Sequence, residues 1–558
     1  MHVITDLQLH SRFSRAVSPQ MTIPNIASWA RRKGIGLVAT GDWMHPMWFA
    51  EIERDLEEMG NGLLRLRSED KSTSVTLESS SFDSSRQGPN RSSIHQGSTA
   101  KAMTGLEKTR SPAPQNTPLF LLATEVSSIY SQGGKVRRVH TLIWVPSLES
   151  ARKISQEMTK RGCNLMSDGR PIVGLSCIHI AELVLSIEPK ALIIPAHAWT
   201  SWFSVYGSLG GFDSLEEAFG PFAKHIYAVE TGLSSNPAMN WRIKELDHRS
   251  IVSFSDAHSG PKLGREATVF EVEELNYNCI YQAIKEGSLG ETFFGDARQR
   301  KNVTSKNSSS SLNETPPPME NQNLGNDQGR GFSAPQNAHS SRLSTQSHNS
   351  QRTTHNSHIA YTIEFYPEEG KYHWSGHRSC GIRWGPDESK TKGTTCPVCG
   401  KPLTQGVEQR VGELAGRSEE ELKLSVVSRQ LSDNGAVVQM TQSKAFPSRP
   451  PFVMLVPLQE IIAECIGSPV ASPKVQTSYH HLTDELGGEF KVLLEASLPE
   501  ITRVAGKRIA AGVDKVRRGD LVIDPGYDGV FGVVRLWKED EEKPLLDASK
   551  EQLSMFSS

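Results

Sequence analysis

Much of what this 558-residue chain can be is bounded by what it lacks. No uninterrupted apolar run is long enough to span a bilayer, and Met1-His2-Val3-Ile4-Thr5-Asp6 enters a strand-like run with no basic, apolar leader before it. The expectation is a cytoplasmic protein with no membrane contact. There is no excess of charge of either sign: 61 basic residues face 63 acidic ones, so any nucleic acid would have to be met by local patches. Cysteine is sparse and odd in number, seven in all, which in a reducing compartment points away from a disulfide framework. Cys163, Cys177, Cys279 and Cys465 stand alone in apolar or helical surroundings and read as packing residues, whereas Cys380, Cys396 and Cys399 lie close together and suggest a metal. Residues 68–116 and 299–357 are poor in apolar side chains, as in Ser79-Ser80-Ser81-Phe82-Asp83-Ser84-Ser85 and Pro316-Pro317-Pro318. Too little apolar surface remains in them to offset chain entropy, so both are expected to be disordered, the first as an insertion and the second as a linker.

Between these stretches the pattern is rich. Over residues 1–298, apolar runs such as Leu37-Val38-Ala39-Thr40, Leu119-Phe120-Leu121-Leu122, Leu142-Ile143-Trp144-Val145, Ala191-Leu192-Ile193-Ile194, Tyr227-Ala228-Val229 and Ile251-Val252-Ser253-Phe254 alternate with helical segments. One such segment opens at Thr22-Ile23-Pro24 and runs to Gly34; another spans Leu148 to Arg161. Repeated βα units predict an α/β fold with a parallel sheet, closed as a distorted βα barrel with its polar residues at the carboxyl ends of the strands. A zinc-binding module over 358–408, a mixed α/β DNA-contacting region over 409–538 and a tail over 539–558 complete the predicted organisation.

Acidic and histidine-bearing patches fall where the strand-like runs end: Asp6-Leu7-Gln8-Leu9-His10, Gly41-Asp42-Trp43-Met44-His45, Glu125 with His140, Pro195-Ala196-His197, and Ser255-Asp256-Ala257-His258. A single histidine or aspartate after a strand is as often a cap as a ligand. So many imidazoles and carboxylates can share one pocket only around metal ions, which acidify bound water and neutralise charge on a phosphodiester. Phosphoester hydrolysis is the reaction that most needs such a cluster.

The pattern resembles the PHP (polymerase and histidinol phosphatase) domain, which begins Asp-Leu-His-x-His-Ser and carries a trinuclear metal site at one end of its barrel. More narrowly, Gly41-Asp42-Trp43-Met44-His45-Pro46, Gly134 to His140, Pro195-Ala196-His197-Ala198-Trp199-Thr200, Val229-Glu230-Thr231-Gly232-Leu233-Ser234-Ser235, Asp256-Ala257-His258-Ser259 and Leu263-Gly264-Arg265-Glu266-Ala267 resemble the endonuclease Q branch. The resemblance implies a metal-dependent repair endonuclease that nicks DNA on the 5′ side of uracil, hypoxanthine, xanthine or an abasic site. It implies His10, Asp42, His45, Glu125, His140, His197, Asp256 and His258 as ligands of two or three divalent ions (Zn, Mn or Mg). Asp256, His197 and Glu125 would be the catalytic members. Glu230 would be a ligand or the orienter of one. The chain departs from the pattern at Gln8, which stands where the first histidine belongs; an amide oxygen is the poorer ligand, leaving Asp6 as a substitute.

His377-Arg378-Ser379-Cys380 and Cys396-Pro397-Val398-Cys399-Gly400 have zinc-knuckle spacing and would hold one structural Zn, with His373 the alternative to His377. Lys507, Arg508, Lys515, Arg517 and Arg518 gather on one helical segment. From spacing alone they are a solvated face; the glycine-rich loop Asp524 to Gly532 that follows makes a DNA contact the better reading, with Tyr527 stacking on a base. This segment also resembles the end of endonuclease Q. The last residues, Gln552, Leu553, Met555 and Phe556, resemble the peptide by which bacterial repair proteins bind the DNA sliding clamp, which points to a bacterial source. Damaged DNA and the clamp are thus the expected partners, in the nucleoid. Two other functions fit parts of the sequence: a small-molecule phosphoesterase of the histidinol-phosphatase kind, and a DNA-binding adaptor whose barrel has lost its chemistry through Gln8.

Overall fold

One mixed sheet of thirteen strands runs through both halves of the chain. The structure, a computed structural model, describes residues 1–67, 117–287, 357–431 and 436–538. The insertion expected at 68–116, nearly all of the linker expected at 299–357, and the clamp-like tail lie outside the described residues. In chain order the strands are β1 (His2–Asp6), β2 (Leu37–Ala39), β3 (Leu56–Glu58), β4 (Leu64–Leu66), β5 (Leu119–Gln132), β6 (Lys135–Val145), β7 (Ile172–Val173), β8 (Leu192–Pro195), β9 (Ala228–Glu230), β10 (Ser250–Val252), β11 (Ala267–Glu271) and β12 (His358–Glu364). There follow β13 (Ser375–His377), β14 (Ile382–Trp384), β15 (Leu424–Gln430), β16 (Val437–Ser443), β17 (Phe452–Met454), β18 (Val522–Asp524) and β19 (Val533–Arg535).

The predicted parallel sheet is only partly parallel. β1, β2 and β5 pair in parallel, as do β9 and β10, but β6 runs antiparallel to both β5 and β8, and β11 antiparallel to β1. The cause is local. Gly133 and Gly134, at φ 61° and 74°, form the two-residue turn that a hairpin of right-handed twist requires, so β5 does not end at Leu122 but continues into an antiparallel partner. Beyond β8 the circuit continues through the amide of Ala198, which donates to the Glu230 carbonyl at the end of β9 (3.0 Å). It returns to β11 through Ser253, whose amide donates to the Thr268 hydroxyl (2.9 Å).

The two helices foreseen early in the chain form as Ile23–Lys33 and Leu148–Lys160. The first presents Ile23, Ile26, Ala27 and Ala30 to the core and stops at Gly34, whose φ of 86° lets its amide reach the carbonyls of Ala30 and Arg31. The second starts at Ser147, whose hydroxyl accepts the Ser150 amide. Residues 358–364, assigned from sequence to the zinc module, instead form β12, antiparallel to β11 and parallel to β17. Their alternating apolar side chains have a sheet to enter that the sequence pattern alone does not reveal.

Five helices, Leu458–Ile466, Pro473–Leu486, Glu489–Leu494, Leu498–Ala505 and Lys507–Arg518, pack together, and the second and third of them lie against the first helix of the chain. Lys33, almost wholly buried, meets Glu489 at 2.6 Å, and the same carboxylate accepts the Leu458 amide and the Tyr479 hydroxyl. A buried charge pair satisfied this fully is expensive to break on one side only. Among the described residues no helix is long and apolar enough to cross a membrane.

Candidate metal centre and DNA-facing surface

The strand ends converge. Gln8 and His10 follow β1, Asp42 follows β2, His197 follows β8, Glu230 closes β9 and Asp256 follows β10, while Glu125 and His140 lie inside the β5–β6 hairpin. In that hairpin Ser127 pairs with His140 and Glu125 with Leu142, so Glu125 and His140 are diagonal neighbours on one face. Their side chains touch, with His140 Nδ1 2.5 Å from Glu125 Oε1.

Two groups of ligand atoms form, each with its members within 4.8 Å of one another: Glu125 with His140 and His197, and His10 with Asp256 and His258. Glu125 lies between them, its Oε2 3.3 Å from His10 Nε2, and His10 Nε2 is 3.2 Å from Asp256 Oδ1. The buried His10 Nε2 and Asp256 Oδ1 meet only at ion-pair distance, outside hydrogen-bond geometry, and Glu230 Oε1 has no hydrogen-bond partner. Orphaned imidazole and carboxylate atoms at converging positions are what divalent ions satisfy, so the donor set fits such ions. Asp42, His197 and Asp256 adopt φ of 46°, 31° and 46°, a region other residues than glycine avoid, and such strain gathers at functional sites. Gly169 lets the loop before Arg170 approach closely: a Cβ there would sit 2.4 Å from Asp42 Oδ2.

The electrostatics divide the acids. Against the cost of burial, Arg170 and His140 hold Glu125 well below the usual carboxylate range, and His10 keeps Asp256 low. Burial dominates at Glu230, pushed well up, and at Asp6, raised to about 6. Burial likewise lowers His140 to about 4, keeping its ring neutral as a ligand must be.

Several expected ligands stand elsewhere. Asp6 accepts hydrogen bonds from the Ser255 amide and hydroxyl and from the Gly264 amide (3.1, 2.6 and 2.8 Å), so it ties the strand-end loops together and lies outside both groups. Asp42 backs His10, accepting from its Nδ1 at 2.9 Å, and its other oxygen takes Ser11 N and Ser14 Oγ. His45 stacks on Phe13 at 4.5 Å, outside both groups. Glu230 accepts the His197 amide at 2.6 Å and so fixes the backbone of that residue. Arg170, whose Nη1 is 3.2 Å from Glu125 Oε1, has no counterpart in the sequence reading; nothing in Ser167-Asp168-Gly169-Arg170 marks it, because a lone arginine in a loop has no period or spacing.

The knuckles also meet. His377, Cys380, Cys396 and Cys399 form one group, with Cys399 Sγ 3.4 Å from His377 Nδ1. Against desolvation, the backbone N–H groups of Cys399 and Val398 hold the Cys396 thiol down at about 6. His373 is buried beside Glu408, 4.0 Å away, and lies outside the group.

The loop after β18 straps this module. Gly526, Gly529 and Gly532 donate to the carbonyls of Glu368, Lys371 and Glu369, and Asp528 accepts from the Arg378 amide and the Thr404 hydroxyl. Tyr527 is consequently inside the contact, its ring against Gly376 and beneath the Arg383 guanidinium, rather than open for stacking. Phe531 is the aromatic that faces out, 67% exposed, with Lys371 Nζ 4.4 Å from its ring centre. Trp202, 40% exposed, stands in the loop after His197 and meets Tyr372 edge-on at 5.0 Å.

On the basic helix the five cations part company. Arg517 is buried and donates to the carbonyls of Val492, Leu493 and Ala496, so it closes the end of a neighbouring helix and cannot reach a phosphate. Arg508 donates to the Cys465 carbonyl and covers Trp537. Lys515 pairs with Asp520, Arg518 with Asp514, and Lys507 is exposed.

Comparison with known proteins places these features in company. The family model of the MJ0043 C-terminal domain matches residues 457–520, the five-helix segment. The chain is 25% identical over 346 residues to an uncharacterized protein, MJ0043, of Methanocaldococcus jannaschii, covering 61% of this chain and 31% of that protein; it thus spans about a third of that relative's length. It is 25% identical over 403 residues to the uncharacterized protein YqxK of Bacillus subtilis, covering 71% and 74% of the two. Among solved structures it is similar to the lesion-specific endonuclease PfuEndoQ of Pyrococcus furiosus, with a TM-score of 0.64, 25% identity and coverage of 97% and 96%. It is similar also to endonuclease Q in complex with a 27-mer duplex substrate bearing an abasic lesion at the active site, with a TM-score of 0.63, 26% identity and coverage of 97% and 98%.

Proposed function

The chain belongs to the endonuclease Q family, and from that premise we propose that it is a metal-dependent DNA repair endonuclease, nicking the phosphodiester 5′ of deaminated bases or abasic sites. The observation that carries the reading is the meeting of Glu125, His140 and His197 with His10, Asp256 and His258 around one strained pocket at the strand ends of what we read as a PHP-type barrel. Divalent ions held by these six side chains would supply acidified water and neutralise charge at the phosphodiester.

The residues around them have separable tasks. Glu125, His140, His197, His10, Asp256 and His258 would hold the ions. Asp42 fixes the ring of His10 through Nδ1, leaving Nε2 directed into the pocket, and Glu230 fixes the backbone of His197. His377, Cys380, Cys396 and Cys399 hold a structural Zn that keeps the knuckle, and with it the Phe531 loop, in place. Lys507 and Arg518 are the cations of the basic helix suited to phosphates, and Phe531 and Trp202 replace Tyr527 as the surfaces on which a base could stack. A base read or bypassed by such a site must leave the stack, and unpaired or mispaired bases leave at least cost. The segment Gln552 to Phe556 is proposed as a sliding-clamp ligand.

Incubating the purified chain and Mn or Mg with a labelled duplex carrying one deoxyuridine, deoxyinosine or abasic site tests the reading. A nick immediately 5′ of the lesion is expected. Binding without cleavage by metal-loaded protein would favour the adaptor reading that Gln8 motivates, and turnover of phosphomonoesters alone would favour the small-molecule phosphatase.

A further inference from the structure

The β5–β6 hairpin runs on beyond the ligands it carries. Its ladder continues from the pair Ser127 and His140 out to Gln132 and Lys135 at the glycine turn. Side chains of a strand alternate between faces and directly paired residues share one, so Glu125 and Ser127 of β5 lie on the same face as His140, Arg138 and Val136 of β6. The face that bears two of the proposed ligands therefore extends outward, through Arg138 and then Val136.

Alternation separates two neighbouring arginines. Arg137, on the opposite face, is buried: it donates to the carbonyls of Gln132 and Gly211, pairs with Glu217 at 2.6 Å and covers the Phe212 ring at 4.0 Å. It holds a loop in place. Arg138 is half-buried and its amide donates to the Gly210 carbonyl (2.9 Å), but among the described residues its guanidinium has no hydrogen bond or ion pair. Arg12 pairs with Glu51, Arg15 with Asp168, and Arg170, like the Gln8 amide, with an oxygen of Glu125. Arg138 differs from these arginines in having no carboxylate to answer its charge. Beyond it Val136 is 49% exposed, so the face stays open toward the turn.

An advance of two residues along a strand is about 7 Å, much like the separation of successive phosphates in one nucleic-acid strand. We propose that Arg138 is a phosphate-binding residue: with the scissile phosphodiester at the two ligand groups, its guanidinium takes the phosphate beside it on the same strand. The inference rests on the endonuclease reading of the pocket. A guanidinium offers a phosphate two parallel N–H donors and keeps its proton, and such a contact fixes register without reading sequence. Register decides which bond lies at the ions, and hence how far from a lesion the nick falls.

Fluorescence anisotropy of the full chain with Ca and a duplex carrying one abasic site tests this, together with copies of that duplex in which single phosphates flanking the scissile bond are replaced by uncharged methylphosphonates. Arg138→Ala is expected to weaken binding of the unmodified duplex about tenfold and to lower the slope of log affinity against log salt by about one. Arg138→Lys should keep the slope. With the methylphosphonate next to the scissile bond on one side, the wild-type chain should lose the same factor and Arg138→Ala nothing further. An unchanged slope, or equal losses for both proteins at every position, would overturn the proposal, while binding and nicking by the wild-type chain left the endonuclease reading standing. A wild-type chain that neither binds nor nicks the unmodified duplex would overturn both. Melting curves show that the variant is folded when measured, and Arg138→Gln gives the same readings should alanine disturb the strand.

Discussion

Asp256 reaches the pocket only through a backbone conformation that costs free energy, and removing its negative charge should be felt by ions rather than by DNA. Asp256→Asn is expected to lower cleavage roughly a hundredfold or more while DNA affinity, measured by fluorescence anisotropy, stays close to wild type; retained cleavage would remove this residue from the catalytic set. Glu364 makes a second prediction at this scale. It is buried on β12 beside Glu266, accepts from Ser253 and Thr362, and is raised by desolvation from 4.5 to about 7. The unfolded chain releases that proton near 4.5 and the folded chain near 7, so the group favours folding below the lower value and loses that contribution as pH rises through the window. Glu364→Gln should therefore flatten the pH dependence of Tm between these values and raise stability at pH 8, by roughly 3 kcal/mol at most. An unchanged slope would show that another group titrates there. The sequence marks the imidazoles and carboxylates that meet at the strand ends, because those residue types at those places stand out by themselves. It does not mark Arg170 or Glu364, whose roles exist only through contacts made by distant parts of the chain.

At the scale of elements, strands and helices were legible where periodicity was strong, as in the helices Ile23–Lys33 and Leu148–Lys160. Direction was not. The glycine pair at 133 and 134 carried the signal for the β5–β6 hairpin, and its weight is lost among so many other glycines. The basic helix shows the same limit, for a row of cations reads as one surface although Arg517 turns inward. Arg517→Met should lower stability by about 3 kcal/mol, whereas Arg518→Ala should weaken DNA binding and leave Tm unchanged. An Arg517 variant with unaltered melting and weakened binding would return that residue to the DNA-facing set. The knuckle was legible because Cys-x2-Cys spacing carries its own geometry. Cys396→Ser is expected to release one Zn per chain and lower the melting temperature; unchanged zinc content would contradict the assignment.

For the whole molecule, the class of fold could be read early, but the domain borders could not, because β12 and β15 to β17 extend the sheet of the first half with strands from the second. Function at this scale concerns partners. Deleting Gln552 to Ser558 should leave intrinsic nicking intact while abolishing stimulation by a purified bacterial sliding clamp; stimulation that survives the deletion would place the clamp contact elsewhere.

The ladder between β11 and β12 means that peptide continuity across residues 288–356 is not what fastens the two halves of the chain to each other. A protease cutting between them would yield two polypeptides that still migrate as one particle under native conditions. By the same logic, the gene could be divided there into two reading frames whose products assemble on translation.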